Sequence, residues 1–409
     1  MNIKPITALL FTLVSFVASA QNKQYADSCL SIITSEKFHG RGFTNNGDKI
    51  TAKFIVNRLK KTKAKPLNSQ NGYYQYFNID INTFPYKEEV KFLPDKKLIT
   101  GKDYLINPIS STLKAKLKCV EIDTNNRMDY TGKCIILDKK KLYTFGPNEF
   151  AYLKYYNPLK AAAYIEISDN KLMQEQSSEA KNWVWIELKR ESYDSTAKEV
   201  FINIKNKFIE NYKTQNIVAE IKGKSDSVIM FIAHYDHLGE FGEALFPGMN
   251  DNGSGIVTLL DLANYFSQHK PDYTTVFLFA GAEEVGLLGS KYFFENPLFD
   301  LKKSKLIINL DVIGSGEKGI AIVNGKNLSS VTNKIKNINK EHSYFKHIKV
   351  RDNVPNGDHY FFAAAGLPAV FIYTEGNYLE YHSIYDKQKD LIFPKYNEFF
   401  KLIVELVSK

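Results

Sequence analysis

Cysteine is scarce in this chain of 409 residues: there are three, Cys29, Cys119 and Cys134. An odd number leaves at least one thiol free, so a fully paired disulfide framework is excluded. Cys119 and Cys134 fall on expected strands of one small region and can pair in an oxidising compartment, but spacing alone does not set disulfide geometry and leaves the pairing open. Long hydrophobic runs are also missing. The apolar stretch inside MNIKPITALLFTLVSFVASA, residues 1–20, is short for a membrane span, and no other segment is long enough. Its early lysine, apolar centre and small-x-small ending describe a secretory signal peptide cleaved after Ala20, which predicts a periplasmic or secreted protein. Cys29 lies too far from that cleavage point to carry a lipid anchor. Arginine is scarce beside lysine, and the lysines are scattered. The formal charge of +9, lowered by one when the leader and its Lys4 are removed, therefore reads as a solvated surface. No Arg-rich cluster or aromatic-interleaved basic stripe marks a nucleic-acid partner. Internal repeats and low-complexity tracts are absent.

What is present suffices for a large core and more than one domain, with 44% hydrophobic and 13% aromatic residues. VIMFIAH (228–234), TTVFLFAGAEE (274–284) and KLIINLD (305–311) are continuous apolar, β-branched and aromatic runs that end in polar residues. Such runs are strands buried on both faces of an open α/β sheet. Residues 21–95 open with two helical patterns, ADSCLSIITSEKF and KITAKFIVNRLKKT, and continue into the strand-like GYYQYFNIDI. Residues 96–210 change character, with the short strands AKLKCVEID and GKCIILD, then a helix and the strand AAAYIEISD. NIVAEIKG (216–223) returns the chain to the main sheet, and YNEFFKLIVELVSK has the apolar spacing of an amphipathic closing helix.

Five metal-ligand-type residues stand in order at or near these strand ends: His234 in HYDH, Asp251 in NDNGSG, Glu284 in GAEEVG, Asp311 in NLDVIG and His382 in EYHS. Taken singly, each has a bland explanation. A strand-end histidine is commonly a hydrogen-bonded structural residue. Glu283 and Glu284 can simply cap a following helix at its positive end. Taken jointly, four or more carboxylates at one sheet edge repel one another and lose hydration unless cations compensate. Active sites of open α/β sheets also form outside the carboxyl ends of the strands. Two imidazoles and three carboxylates fit a pair of Zn²⁺ ions sharing one bridging carboxylate, and the same donors accept cobalt or manganese.

The motifs HYDHLG, PGMNDNGSG, AEEVGLLGS, NLDVIG and the late YHS resemble those of the two-zinc aminopeptidases, the twenty-eighth metallopeptidase family, over most of residues 215–409. FHGRGF also matches a common family turn. The resemblance implies an α/β fold with a mixed, largely parallel sheet flanked by helices, of the zinc aminopeptidase/phosphorylase-hydrolase type. It implies that His234 and Asp311 bind one zinc, that Glu284 and His382 bind the other, and that Asp251 bridges the two. Glu283 becomes the general base and Asp236 a residue supporting the ligands. Residues two apart in a strand face the same side, so Asp236 can also reach His234 and fix its tautomer. Tyr381 matches a tyrosine that stabilises the oxyanion in some members, and ordinary packing is the alternative.

Several local features belong to the same expectation. Gly248, Gly253 and Gly255 let the backbone approach the site closely, and Ser254 is the expected N-cap of the helix GIVTLLDLANYF. In the family, the peptide bond after the bridging Asp, here Asp251–Asn252, is usually cis. GDHYFFAAAGLPAVF (357–371) resembles a segment in which Asp358 and His359 support the site, and a structural turn explains it equally. The strand and helix order of the insert resembles a protease-associated domain, so the expected organisation is a catalytic domain of residues 21–95 and 211–409 with an insert at 96–210.

The implied reaction is removal of N-terminal residues from peptides with a free N-terminus. Three other activities share these ligands or this fold: carboxypeptidases acting on acidic dipeptides, glutaminyl cyclases, and receptor-type binding modules without metal. The first needs arginines to hold carboxylates, and Arg351 in VRDN is the candidate. The cyclase is disfavoured by the insert and by AEEVGLLGS, and the binding module by the complete ligand set.

Overall fold

The three apolar runs are neighbouring strands, Ser225–His234, Tyr273–Ala280 and Ser304–Leu310, with Ser225–His234 in the middle and parallel to both others. Alternate side chains of one strand enter separate cores: Ile229, Phe231 and Ala233 lie on one face, Val228, Met230 and Ile232 on the other. That two-sided burial is why the sequence shows no polar alternation here. The computed structural model describes residues 23–67, 70–122, 128–138, 140–142, 146–387 and 393–409. The leader and its Ala20 cleavage point fall outside the described residues.

Among the described residues the main sheet has nine strands. Outside the central three, Ala369–Glu375 adds parallel to Ser304–Leu310, and Gly319–Val323 pairs antiparallel with it. On the other side Lys207–Ile221 runs antiparallel to Tyr273–Ala280, and Tyr74–Thr83 pairs antiparallel with Lys207–Ile221. Among the described residues, five helices cover one face: 23–33, Gly47–Leu59, Ser254–Gln268, Ser329–His342 and Tyr396–Val407. In the last of these Phe399, Leu402, Ile403 and Leu406 are buried at helical spacing, each contributing roughly 1.5–3 kcal/mol by leaving water. The opposite face is covered by Leu288–Glu295 and Tyr360–Ala364 through Phe293 and Phe362. Among the described residues no helix is long and apolar enough to cross a membrane.

A second sheet of eight strands begins at Glu89–Phe92 and ends at Glu199–Ile204. At its centre Leu113–Glu121, Cys134–Asp138, Ala163–Ser168 and Val184–Lys189 are parallel neighbours, with the helix Pro147–Tyr156 between the second and third. The two sheets share material. A hairpin of the main unit, Gly239–Phe241 and Ala244–Phe246, places Phe241, Ala244 and Phe246 in the core of the second sheet, with Phe241 stacked on Phe84. Cys119 and Cys134 are direct partners in adjacent strands, and all three cysteines are free thiols.

Candidate metal centre

Strand register explains how distant motifs meet. His234 ends its strand opposite Ala280, and Ile232 pairs with Asn309, so Asp311 comes level with His234 two residues later. Glu283 and Glu284 follow Ala280 in a turn where the carbonyl of Glu283 accepts the amides of Gly286 and Leu287. The next helix starts at Leu288 and takes no side-chain cap, so the acidic pair is not there to cap it.

Asp251 is presented by the loop before helix Ser254–Gln268, and the Asp251–Asn252 peptide is cis. Gly248 is left-handed at φ 59°, and a Cβ there would lie 2.3 Å from both the Asp251 carbonyl oxygen and His237 Cδ2. Only glycine leaves that space. Ser254 is not the N-cap expected from the sequence. It is the first helical residue, and its hydroxyl donates to the Asn250 carbonyl at 2.6 Å and accepts the Ile313 amide at 3.0 Å. The capping contact comes from Asn252, whose Oδ1 accepts the Gly255 amide at 2.9 Å while its Nδ2 donates to the Leu310 carbonyl at 3.0 Å.

The five residues converge. Asp251 Oδ1 lies 3.2 Å from His234 Nε2, and Asp251 Oδ2 lies 3.0 Å from His382 Nε2. His234 Nε2 is 3.4 Å from Asp311 Oδ1, and His382 Nε2 is 3.2 Å from Glu284 Oε2. Glu283 Oε2 stands 4.0 Å from His234 Nε2. One carboxylate thus divides its two oxygens between two histidines, each of which faces one further carboxylate.

Charge dominates this buried cluster. Burial alone would raise Asp251, yet the imidazoles of His234 and His382 facing its two oxygens hold it well below the usual carboxylate range. Glu284 is likewise held at about 2, against burial, by His382 and His237. Burial would lower His382, but Glu284 and Asp251 push it up to about 11. Glu283 behaves oppositely: burial and then its neighbours Glu284, Asp358 and Asp311 push its carboxyl well up, although His234 opposes them. Glu283 is thus held toward its protonated form, whereas Asp251 and Glu284 are held as carboxylates.

Asp236 supports the cluster differently from the expectation. Its main-chain carbonyl, 3.1 Å from His234 Nδ1, orients that ring, whereas its carboxylate lies 4.0 Å away and accepts the amides of Glu283 at 3.1 Å and Glu284 at 3.3 Å. Tyr381 is 43% exposed and stacked on the His382 ring at 3.9 Å, and partial desolvation of its hydroxyl together with the surrounding carboxylates pushes its phenol up. Asp358 and His359 are fully buried without side-chain hydrogen-bond partners, and Asp358 sits close enough for its charge to act on Glu283 and Asp236. Arg351 instead donates to the Tyr373 hydroxyl at 2.9 Å.

Three supporting residues escaped the sequence reading. His237 Nδ1 lies 2.6 Å from Glu284 Oε1, and the doubled histidine of HYDH was its only signal. Arg41 is fully buried and donates to the carbonyls of Tyr235, Pro247, Gly248 and Asp251 at 2.7–3.0 Å, binding the loop of Asp251 to the strand of His234. Asp386 is fully buried, and its carboxylate accepts the amides of Asn250 and Asp251 and the Tyr378 hydroxyl.

The donor set fits metal ions. Imidazole nitrogen and carboxylate oxygen are zinc's ordinary partners, and His234 Nε2 and Asp311 Oδ1 are buried without a hydrogen bond. Ligand atoms of His234, Asp251 and Asp311, and of His237, Asp251 and Glu284, lie within 4.8 Å of one another in each group.

Comparison with known proteins agrees with this geometry. Residues 216–407 match the model of peptidase family M28. The chain is 28% identical over 306 residues to a probable leucine aminopeptidase 2 of Trichophyton verrucosum, covering 70% of this chain and 57% of that protein. It spans little more than half the length of the curated relatives it matches in this way. In fold it is similar to a zinc aminopeptidase from Bacillus subtilis, with a TM-score of 0.73, 20% identity and 94% of each chain covered. A peptidase M28 precursor from Shewanella amazonensis aligns with a TM-score of 0.68 and 15% identity over 96% of this chain and 98% of its own.

Proposed function

We propose that this chain, whose residues 216–407 match the model of peptidase family M28, is an exported zinc-dependent aminopeptidase, releasing N-terminal residues one at a time from peptides with a free N-terminus. The observation that carries this reading is the division of Asp251 between His234 and His382. In this assignment His234 and Asp311 would hold one Zn²⁺, Glu284 and His382 would hold a second, and Asp251, which faces both histidines, would serve both; Co²⁺ or Mn²⁺ would suit the same donors. Bound there, the ions supply Lewis-acid polarisation of a carbonyl and acidify water.

The chain's own residues do the rest. Glu283 accepts a proton from the attacking water and returns it to the departing amine, so one carboxyl serves both halves of the hydrolysis. A carboxyl pushed up by burial and by its neighbouring carboxylates is suited to that exchange. Asp236 holds the amides of Glu283 and Glu284 and thereby aims both side chains. The neutral Tyr381 hydroxyl donates to the developing oxyanion. We assign residues 21–83 and 207–409 to the catalytic unit and 89–204 to a protease-associated-like insert, shifted from the expected 96–210 because Glu89–Phe92 pairs in the second sheet and Lys207–Ile221 in the main one, and residues 1–20 to a signal peptide that sends the protein to the periplasm or outside the cell.

The acidic-dipeptide carboxypeptidase is less well supported, because the arginines near the site are engaged. Arg41 is spent on four main-chain carbonyls and Arg351 on Tyr373. The test is mass spectrometry of a pool of free and N-acetylated peptides incubated with the mature protein, after chelation and with zinc restored. Zinc-dependent loss of single N-terminal residues from the free peptides alone supports the proposal. Trimming at C-termini moves the reading to a carboxypeptidase, loss of ammonia from N-terminal Gln to a cyclase, and no change to a binding module.

A further inference from the structure

We propose that the main chain of Gln174, in the second sheet's long connection, is a positioning element of the metal centre, setting the ring orientation and proton placement of His382. This rests on the reading of His382 as a metal ligand. Gln174 and His382 are joined by a reciprocal pair of hydrogen bonds: the Gln174 amide donates to the His382 carbonyl at 2.9 Å, and His382 Nδ1 lies 2.8 Å from the Gln174 carbonyl oxygen. A carbonyl only accepts, so Nδ1 carries a proton, and Nε2, which faces Asp251 and Glu284, is the nitrogen that would give up its proton to bind a metal. His234 solves the same problem within its own strand through the Asp236 carbonyl, whereas His382 borrows its acceptor from 208 residues away.

Independent features show that this contact is built. His382 is held at φ 50°, a left-handed conformation that a β-carbon disfavours and that persists only where surroundings impose it. The Gln174 side chain is fully buried, and its Nε2 donates to the carbonyls of Ile106 and Glu175 at 3.0 Å, which fixes the segment to strand Tyr104–Ile106. Gln176 Nε2 reaches the Leu238 carbonyl at 2.5 Å, just beyond HYDH. Lys171 ties the same segment to the His382 loop through the Leu379 carbonyl at 3.0 Å and the Glu380 carboxylate. The second sheet is therefore part of the centre itself, and one of the two zinc positions is complete only when that sheet is docked.

The test is zinc titration of the metal-free full-length protein against a chromogenic chelator, for wild type, Gln174→Pro, Lys171→Ala and Lys171→Arg. Gln174→Pro removes the amide that donates to the His382 carbonyl. It should weaken one zinc equivalent about 10- to 100-fold and leave the other unchanged. Lys171→Ala should weaken the same equivalent by a smaller factor, and Lys171→Arg should restore it. If Gln174→Pro does not fold, the Lys171 pair decides. Wild-type affinity for both equivalents in the folded variants overturns this proposal alone, while a wild type that binds no zinc overturns it together with the proposed function. ¹⁵N spectra of histidine-labelled, zinc-loaded wild type give a reading free of any substitution: a protonated His382 Nδ1 is expected, and metal bound through Nδ1 overturns the assignment.

Discussion

His237 Nδ1 and Glu284 Oε1 are 2.6 Å apart, while the other Glu284 oxygen lies 3.2 Å from His382 Nε2. One oxygen is thus occupied and the carboxylate is turned so that the second faces the centre. His237→Ala should free that rotation and weaken zinc binding about 10- to 100-fold. Chelator competition measures it, and unaltered affinity would mean that His237 is packing rather than support.

If Glu283 moves the proton, Glu283→Gln should lower kcat by a factor of about 10² to 10⁴ while zinc content stays at the wild-type level. Elemental analysis of the purified variant separates the two roles. Loss of zinc together with activity would make Glu283 a ligand instead of a base.

Tyr381 carries its hydroxyl on a ring stacked against His382. Tyr381→Phe keeps the stack and removes the donor, so kcat should fall by about 10- to 1000-fold with little change in KM. Steady-state kinetics on one free peptide decides, and an unchanged kcat would return Tyr381 to packing.

Arg41 satisfies four carbonyls from inside the protein. Arg41→Lys retains the charge but cannot span the same acceptors, leaving buried carbonyls without donors at about 1–3 kcal/mol each. A loss of roughly 3 kcal/mol in urea unfolding is expected. A variant as stable as wild type would contradict the bracing role.

A pH dependence independent of the metal centre comes from Asp261, which accepts the Tyr396 hydroxyl at 2.9 Å and whose other oxygen has no partner. Burial pushes its carboxyl up from the ordinary 3.8 to about 7, against the opposing Tyr396 bond. Between those values the folded chain binds the proton and the unfolded chain does not. The contribution of Asp261 is therefore full below pH about 4 and declines as pH rises toward about 7, by an amount on the order of 4 kcal/mol. Asp261→Asn should flatten this part of the stability profile, so its unfolding midpoint should gain on wild type between pH 5 and pH 8. Parallel midpoints across that range would refute the shift.

Much of this protein was legible along the chain because the relevant signals are local. The runs ending at His234, Glu284 and Asp311 carry apolar residues on both faces because each strand feeds two cores, and a polar residue at such a strand end marks the edge where a site forms. The closing helix from Tyr396 shows its buried stripe for the same reason.

The partners of those residues were decided by tertiary structure. Hydrogen-bond acceptors supplied by main chain leave no mark in a sequence, so the Asp236 carbonyl behind His234 and the Gln174 carbonyl behind His382 could not be anticipated. Arg41, in a short glycine-flanked turn, carries no periodic pattern, and only the packing of that turn against Pro247 and Gly248 shows what its guanidinium binds. Residue type and strand pattern determined which side chains reach the sheet edge. Folding determined how each is oriented, because orientation depends on atoms tens to hundreds of residues away.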